Sequence, residues 1–138
     1  MLNTVRCLLL APILILQGLW VVLRVQRLPE AAGNRHGSAG TGAPLRVLII
    51  GDSSAAGVGV AHQQDALPGR LCHYLSQRYH VSWLLLAKSG ATSGTVLEML
   101  NALPPTDFDV VVVAVGVNDA KNGVSSRKWI SNCKALIS

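Results

Sequence analysis

The chain has 138 residues, half of them hydrophobic and only 14% charged, with a formal net charge of +5. This length suits one ordinary domain. The charge deficit, against roughly 25% in an average soluble domain, points to a membrane segment, a deeply buried core, or both. Residues 1–45 contribute +3 and residues 46–138 only +2, without a Lys/Arg run or interleaved aromatics, which argues against a nucleic-acid partner.

Residues 7–23 read CLLLAPILILQGLWVVL, with Gln17 as the one polar residue and Arg6 and Arg24 as brackets. The run is at the short end for a spanning helix, which needs roughly 17–25 apolar residues. Its exit, Arg24–Val25–Gln26–Arg27, is a poor signal-peptide cleavage site. An uncleaved anchor or an interfacial helix over residues 1–27 is expected, with a buried core helix as the plainer alternative. Three arginines follow the run and one precedes it, a lean toward a domain on the cytoplasmic side. Four glycines and two prolines in residues 28–44 and Leu45 predict a flexible linker. The globular domain is expected over 45–138.

Leu45–Ile50 is a short apolar run ending at Gly51 and reads as a buried strand. A Gly/Ala/Ser loop follows over 51–64. Asp65–Tyr79 suits a helix, with Asp65 able to cap it and Leu67, Leu71 and Leu75 on one face. Val81–Leu86 is a second strand candidate. Thr92–Leu103 is a second helix, with Val96, Leu97, Leu100 and Leu103 at helical spacing. Asp109–Val115 is continuously apolar after its first residue, as in a strand covered on both faces. Ser125–Ile137 is a third helix, with Trp129, Ile130, Cys133, Leu136 and Ile137 on one side. The β-α-β-α-β-α order implies a parallel sheet with right-handed crossovers.

In such a sheet, ligands bind beyond the carboxyl ends of the strands. Three polar loops leave strand ends there: Gly51–Asp52–Ser53–Ser54, Ser89–Gly90–Ala91–Thr92 and Gly116–Val117–Asn118–Asp119. Ser53, just after a strand and a glycine, suits a nucleophilic hydroxyl. The backbone N–H groups of Ser53 and Gly90 and the Asn118 amide suit an oxyanion-binding role. The plainer readings are a capping serine, a turn glycine and an Asx-turn asparagine. Asp52 and Asp119 read as loop-holding residues.

VLIIGDSSAAGVG, AKSGATSGT and GVND stand in order, each after a predicted strand. Together they resemble the three N-terminal blocks of the SGNH, or GDSL-like, hydrolases. The resemblance runs from about Leu45 to the chain end. It implies a flavodoxin-like three-layer α/β/α fold and hydrolysis of carboxylic or thio esters through Ser53. Gly90 and Asn118 would be oxyanion donors, with no metal or cofactor. GDSL reads GDSS here, and the family's later Asp-x-x-His is absent: His36, His62, His73 and His80 all precede the third block. The chain is therefore expected to be C-terminally truncated and catalytically impaired, with His62 the nearest substitute base in sequence. Cys7, Cys72 and Cys133 are scattered and read as small buried hydrophobes, not as a disulfide or zinc set.

Two rival classes remain. A nucleotide-binding module would use the first glycine-rich loop, but G-x-x-x-x-G-K-[ST] and G-x-G-x-x-G are both absent. A membrane-tethered small-molecule-binding remnant would keep the pocket without turnover.

Overall fold

The computed structural model describes residues 2–137, and for residues 2–9 the backbone alone. A helix, α1 (Leu2–Arg24), precedes the domain. Leu14, Ile15, Leu16, Trp20, Val22 and Leu23 are all more than half exposed. Among the described residues no helix is long and apolar enough to cross a membrane. The Cys7 side chain lies outside the described residues.

Four strands form one sheet in the order β1-β3-β2-β4. They are β1 (His36–Ala39), β2 (Ala43–Gly51), β3 (Tyr79–Ala87) and β4 (Val110–Ala114). β2 pairs in parallel with β3 and β4, whereas β1 runs antiparallel to β3. The sheet is thus mixed, where an all-parallel one was expected. Its three parallel strands keep a flavodoxin-like order, the first strand lying between the second and third.

The expected linker supplies the difference. His36-Gly-Ser-Ala39 carries no β-branched side chain, so strand propensity gave no signal. It pairs because β3 offers a free edge and Trp83 lies opposite Gly37. A Cβ on Gly37 would come within 2.5 Å of the Trp83 ring, so glycine is what lets the indole lie across β1. Ala31 is buried, and Ala32 bridges to His62. The ordered unit therefore begins well before residue 45.

Alternation along β2 builds both core layers. Val47 and Ile49 face Ala55, Ala56 and Cys72, from α2 (Ser53–Ala56) and α3 (Leu67–Leu75). Leu48 and Ile50 face Val96 and Leu136, from α4 (Ser93–Asn101) and α6 (Ser126–Leu136). A short α5 (Val117–Lys121), not expected from the sequence, follows β4. The result is an α/β fold with helices on both faces of the sheet.

Four local expectations change. Ala66, not Asp65, sits at the α3 N-cap, and no side chain caps it. Residues Ser53–Ala56, expected as loop, form a helical turn capped by Asp52. β4 is an edge strand: Val110, Val111 and Val113 are 38–39% exposed rather than covered on both faces. On α6, Leu136 is buried but Ile130 is exposed, as is the C-cap residue Ile137.

Candidate active site

Because β2, β3 and β4 are parallel and end in register, their following loops emerge at one end of the sheet. Gly51 pairs with Ala87 on one side and with Ala114 on the other. Ser53 follows Gly51 by two residues, Gly90 follows Ala87 by three, and Asn118 follows Ala114 by four. This is also where the chain reverses its direction across the sheet, the crevice position of open α/β folds.

Hydrogen bonds tie the three loops together. Asp52 N donates to Ala114 O at 3.0 Å, and Lys88 N donates to Gly51 O at 3.2 Å. The Asn118 amide donates to Ala91 O at 3.0 Å. That bond uses one of two N–H groups on Nδ2.

Ser53 is half-buried and opens α2. The buried Asp52 carboxylate accepts from Ser54 N at 3.0 Å and from Ser54 Oγ at 2.8 Å. Asp52 therefore holds the loop through Ser54, and Ser54 is already partnered. No hydrogen bond to the Ser53 hydroxyl occurs among the described residues.

Gly90 sits in a tight turn closed by Ala91 N donating to Lys88 O at 3.0 Å. Its φ is +82°, and a Cβ there would meet nothing within 4 Å. The glycine is thus required by backbone conformation rather than by space, as at the third position of a type II turn. Ser89 and Gly90 are exposed.

Behind the loops lies a buried polar network. Asp119 accepts from Ser93 N at 2.8 Å and from Ser93 Oγ at 2.5 Å, and the Asn132 amide donates to Ser93 Oγ at 2.9 Å. Asp119 is a loop-holding residue, as expected. Ser93 and Asn132 carried no signal, because each reads as an ordinary helical residue until the fold joins them.

The histidines sit elsewhere. His36 is on the edge strand β1, His73 on the exposed side of α3, and His80 Nδ1 lies 2.7 Å from Gly40 O. His62 lines a groove of about 730 Å³ beside Asp65, Arg70, His73 and Trp83, and the groove lining does not include Ser53, Gly90 or Asn118. Among the described residues no group of His, Cys, Asp and Glu could hold a metal ion.

The three parallel strands thus present a serine-bearing turn at the switch point of a flavodoxin-like α/β sheet. The profile of the GDSL-like lipase/acylhydrolase family matches residues 49–138, and the chain belongs to that family. Three solved structures resemble it. AlinE4, an SGNH-hydrolase family esterase, is 24% identical with a TM-score of 0.59, over 70% of this chain and 52% of that one. At that identity the likeness concerns the fold alone. The psychrotrophic esterase EstA from Pseudoalteromonas sp., solved inhibited by monoethylphosphonate, is 29% identical with a TM-score of 0.57, over 67% and 51%. TesA is 25% identical with a TM-score of 0.57, over 66% and 51%. The chain thus spans about half the length of the structures it matches. No curated protein matches it.

Proposed function

We propose that Ser53 is the nucleophile of a serine esterase acting on carboxylic or thio esters. In this reading Ser53 Oγ attacks the ester carbonyl carbon and passes its proton to a base. The oxyanion so formed accepts hydrogen bonds from Gly90 N–H, Ser53 N–H and the second N–H of the Asn118 amide. Collapse expels the alcohol or thiol, which takes up the proton, and water then hydrolyses the acyl-serine. The observation that carries the reading is the departure of all three loops from one end of three registered parallel strands.

A serine hydroxyl is a weak nucleophile without an adjacent base. Among the described residues no histidine is hydrogen-bonded to Ser53, so in this reading they supply the nucleophile and oxyanion donors without the proton acceptor. Loss of a triad's serine or histidine costs roughly 10⁶ in turnover, with about 10³–10⁴ over water remaining. The chain as it stands is expected to hydrolyse short-chain p-nitrophenyl esters negligibly. Appending a homologous segment with Asp-x-x-His should restore hydrolysis, and Ser53→Ala should abolish it again. Robust turnover by the unextended chain would overturn this assignment of the missing base, and His62 would be the first residue to replace.

We also propose that α1 associates with membranes. Its support is the row of exposed Leu, Ile, Val and Trp side chains between Leu10 and Leu23, ending at Arg24. Association of the full chain with liposomes, lost when residues 1–27 are deleted, tests this. A full chain that stays entirely in the supernatant would refute it.

A further inference from the structure

The turn that carries Gly90 is gripped from outside the family-matched region. Glu30 Oε1 accepts the Ser89 N–H at 2.6 Å. Glu30 Oε2 also pairs with Arg35 Nη2. Arg35 Nη1 in turn donates to Ala87 O at 2.5 Å, and Arg35 O accepts from Leu85 N at 2.7 Å. Two charged side chains thus close a ring over the end of β3, from residues 59 and 52 positions away in sequence.

The grip falls at an informative place. In a turn, the peptide between the two central residues can face either way, and types I and II differ mainly by that flip. Here that peptide joins Ser89 to Gly90, and it carries the Gly90 N–H. Glu30 fixes the peptide just before it, and Arg35 the one before that. Lys88, Ser89 and Gly90 are exposed, so no side-chain packing holds them in place. A carboxylate–amide bond is among the stronger hydrogen bonds available at such a surface.

Building on the assignment of Gly90 as an oxyanion donor, we propose that Glu30 and Arg35 are positioning residues that set the direction of the Gly90 N–H. The segment around residues 30–35 is then part of the active-site apparatus rather than a spacer. The Ser89 N–H, ahead of the Arg35 guanidinium, also holds the Glu30 carboxyl below its ordinary range, in keeping with a charged clamp.

The test uses the full chain and the rate at which a fluorophosphonate modifies Ser53, a reaction that develops charge on the phosphoryl oxygen. Glu30→Ala should slow modification by roughly tenfold, the scale of a displaced oxyanion donor. Glu30→Gln, which keeps an acceptor for Ser89, should be intermediate, and Arg35→Ala should resemble Glu30→Ala. Arg46→Ala removes a comparable ion pair, to Asp109, at the opposite end of β2, and should leave the rate unchanged. A wild-type rate in Glu30→Ala would overturn the proposal. So would equal slowing by Arg46→Ala, which would reveal general loosening. Should Glu30→Ala not fold, Glu30→Gln and Arg35→Lys carry the same comparison. Should the wild type fail to label at Ser53 even when extended by the homologous Asp-x-x-His segment, the nucleophile assignment fails by itself. The Ser89 and Gly90 amide resonances then decide the clamp: a shift in Glu30→Gln supports it, and unchanged resonances overturn it.

Discussion

Asp119 and Ser93 form a two-point contact: one carboxylate takes both the backbone N–H and the hydroxyl of the serine that opens α4. Both residues are buried, at 2% and 0% exposure. The contact fastens the loop bearing Asn118 to the helix that follows the Gly90 turn. Asp119→Ala would strand two buried donors, so it should cost about 3 kcal/mol of folding stability. Asp119→Asn keeps one acceptor and should cost about half that. Urea unfolding of the two variants checks the order.

The core should respond to β2 rather than to β4. Ile50 is fully buried between sheet and α4, so Ile50→Ala should destabilise by about 2–5 kcal/mol. Val111 and Val113 lie on the exposed edge strand, where unpaired backbone groups template aggregation. Val111→Lys should leave the circular dichroism spectrum unchanged and reduce light scattering on concentration.

Burial pushes the Cys72 thiol up to about 11. Burial, helped by the Asp119 charge, also raises Cys133. Neither should be an appreciable thiolate at pH 8. Ellman's reagent should therefore react slowly with native protein at these two thiols and rapidly after unfolding in urea.

Acid should loosen the N-terminal clamp. The Glu30 pKa is lowered in the folded chain from an ordinary value of 4.5. Its contribution is therefore fully present above about pH 4.5 and is lost as pH falls through the lower folded value. The stability difference between wild type and Glu30→Gln should be constant near pH 6–7 and shrink below pH 4.5, as measured by thermal unfolding. A difference that grows on acidification would reverse the sign of this linkage.

Much of this was legible in the sequence for simple reasons. Val47–Ile50 is apolar on both faces, so the central strand and its two helical layers follow from the residues themselves. The Gly-Asp-Ser, Ser-Gly and Gly-Val-Asn-Asp blocks mark strand ends because small and polar residues interrupt apolar runs there. Residues 28–44 misled because glycine content usually signals flexibility, whereas here Gly37 makes room for Trp83 and Glu30 and Arg35 act at long range. Such pairings leave no local periodicity. Ser93 and Asn132 were invisible for the same reason, since only the fold brings them to Asp119.

In the proposed reading Ser53 is a nucleophile served by Gly90 and Asn118. This assignment is tested most directly by prolonged treatment of the full chain with a fluorophosphonate, followed by peptide mass mapping. One slow adduct is expected on Ser53, absent in Ser53→Ala and slowed roughly 10²-fold in Asn118→Ala. Adducts spread over exposed serines such as Ser54 and Ser89, with no dependence on Asn118, would contradict the assignment.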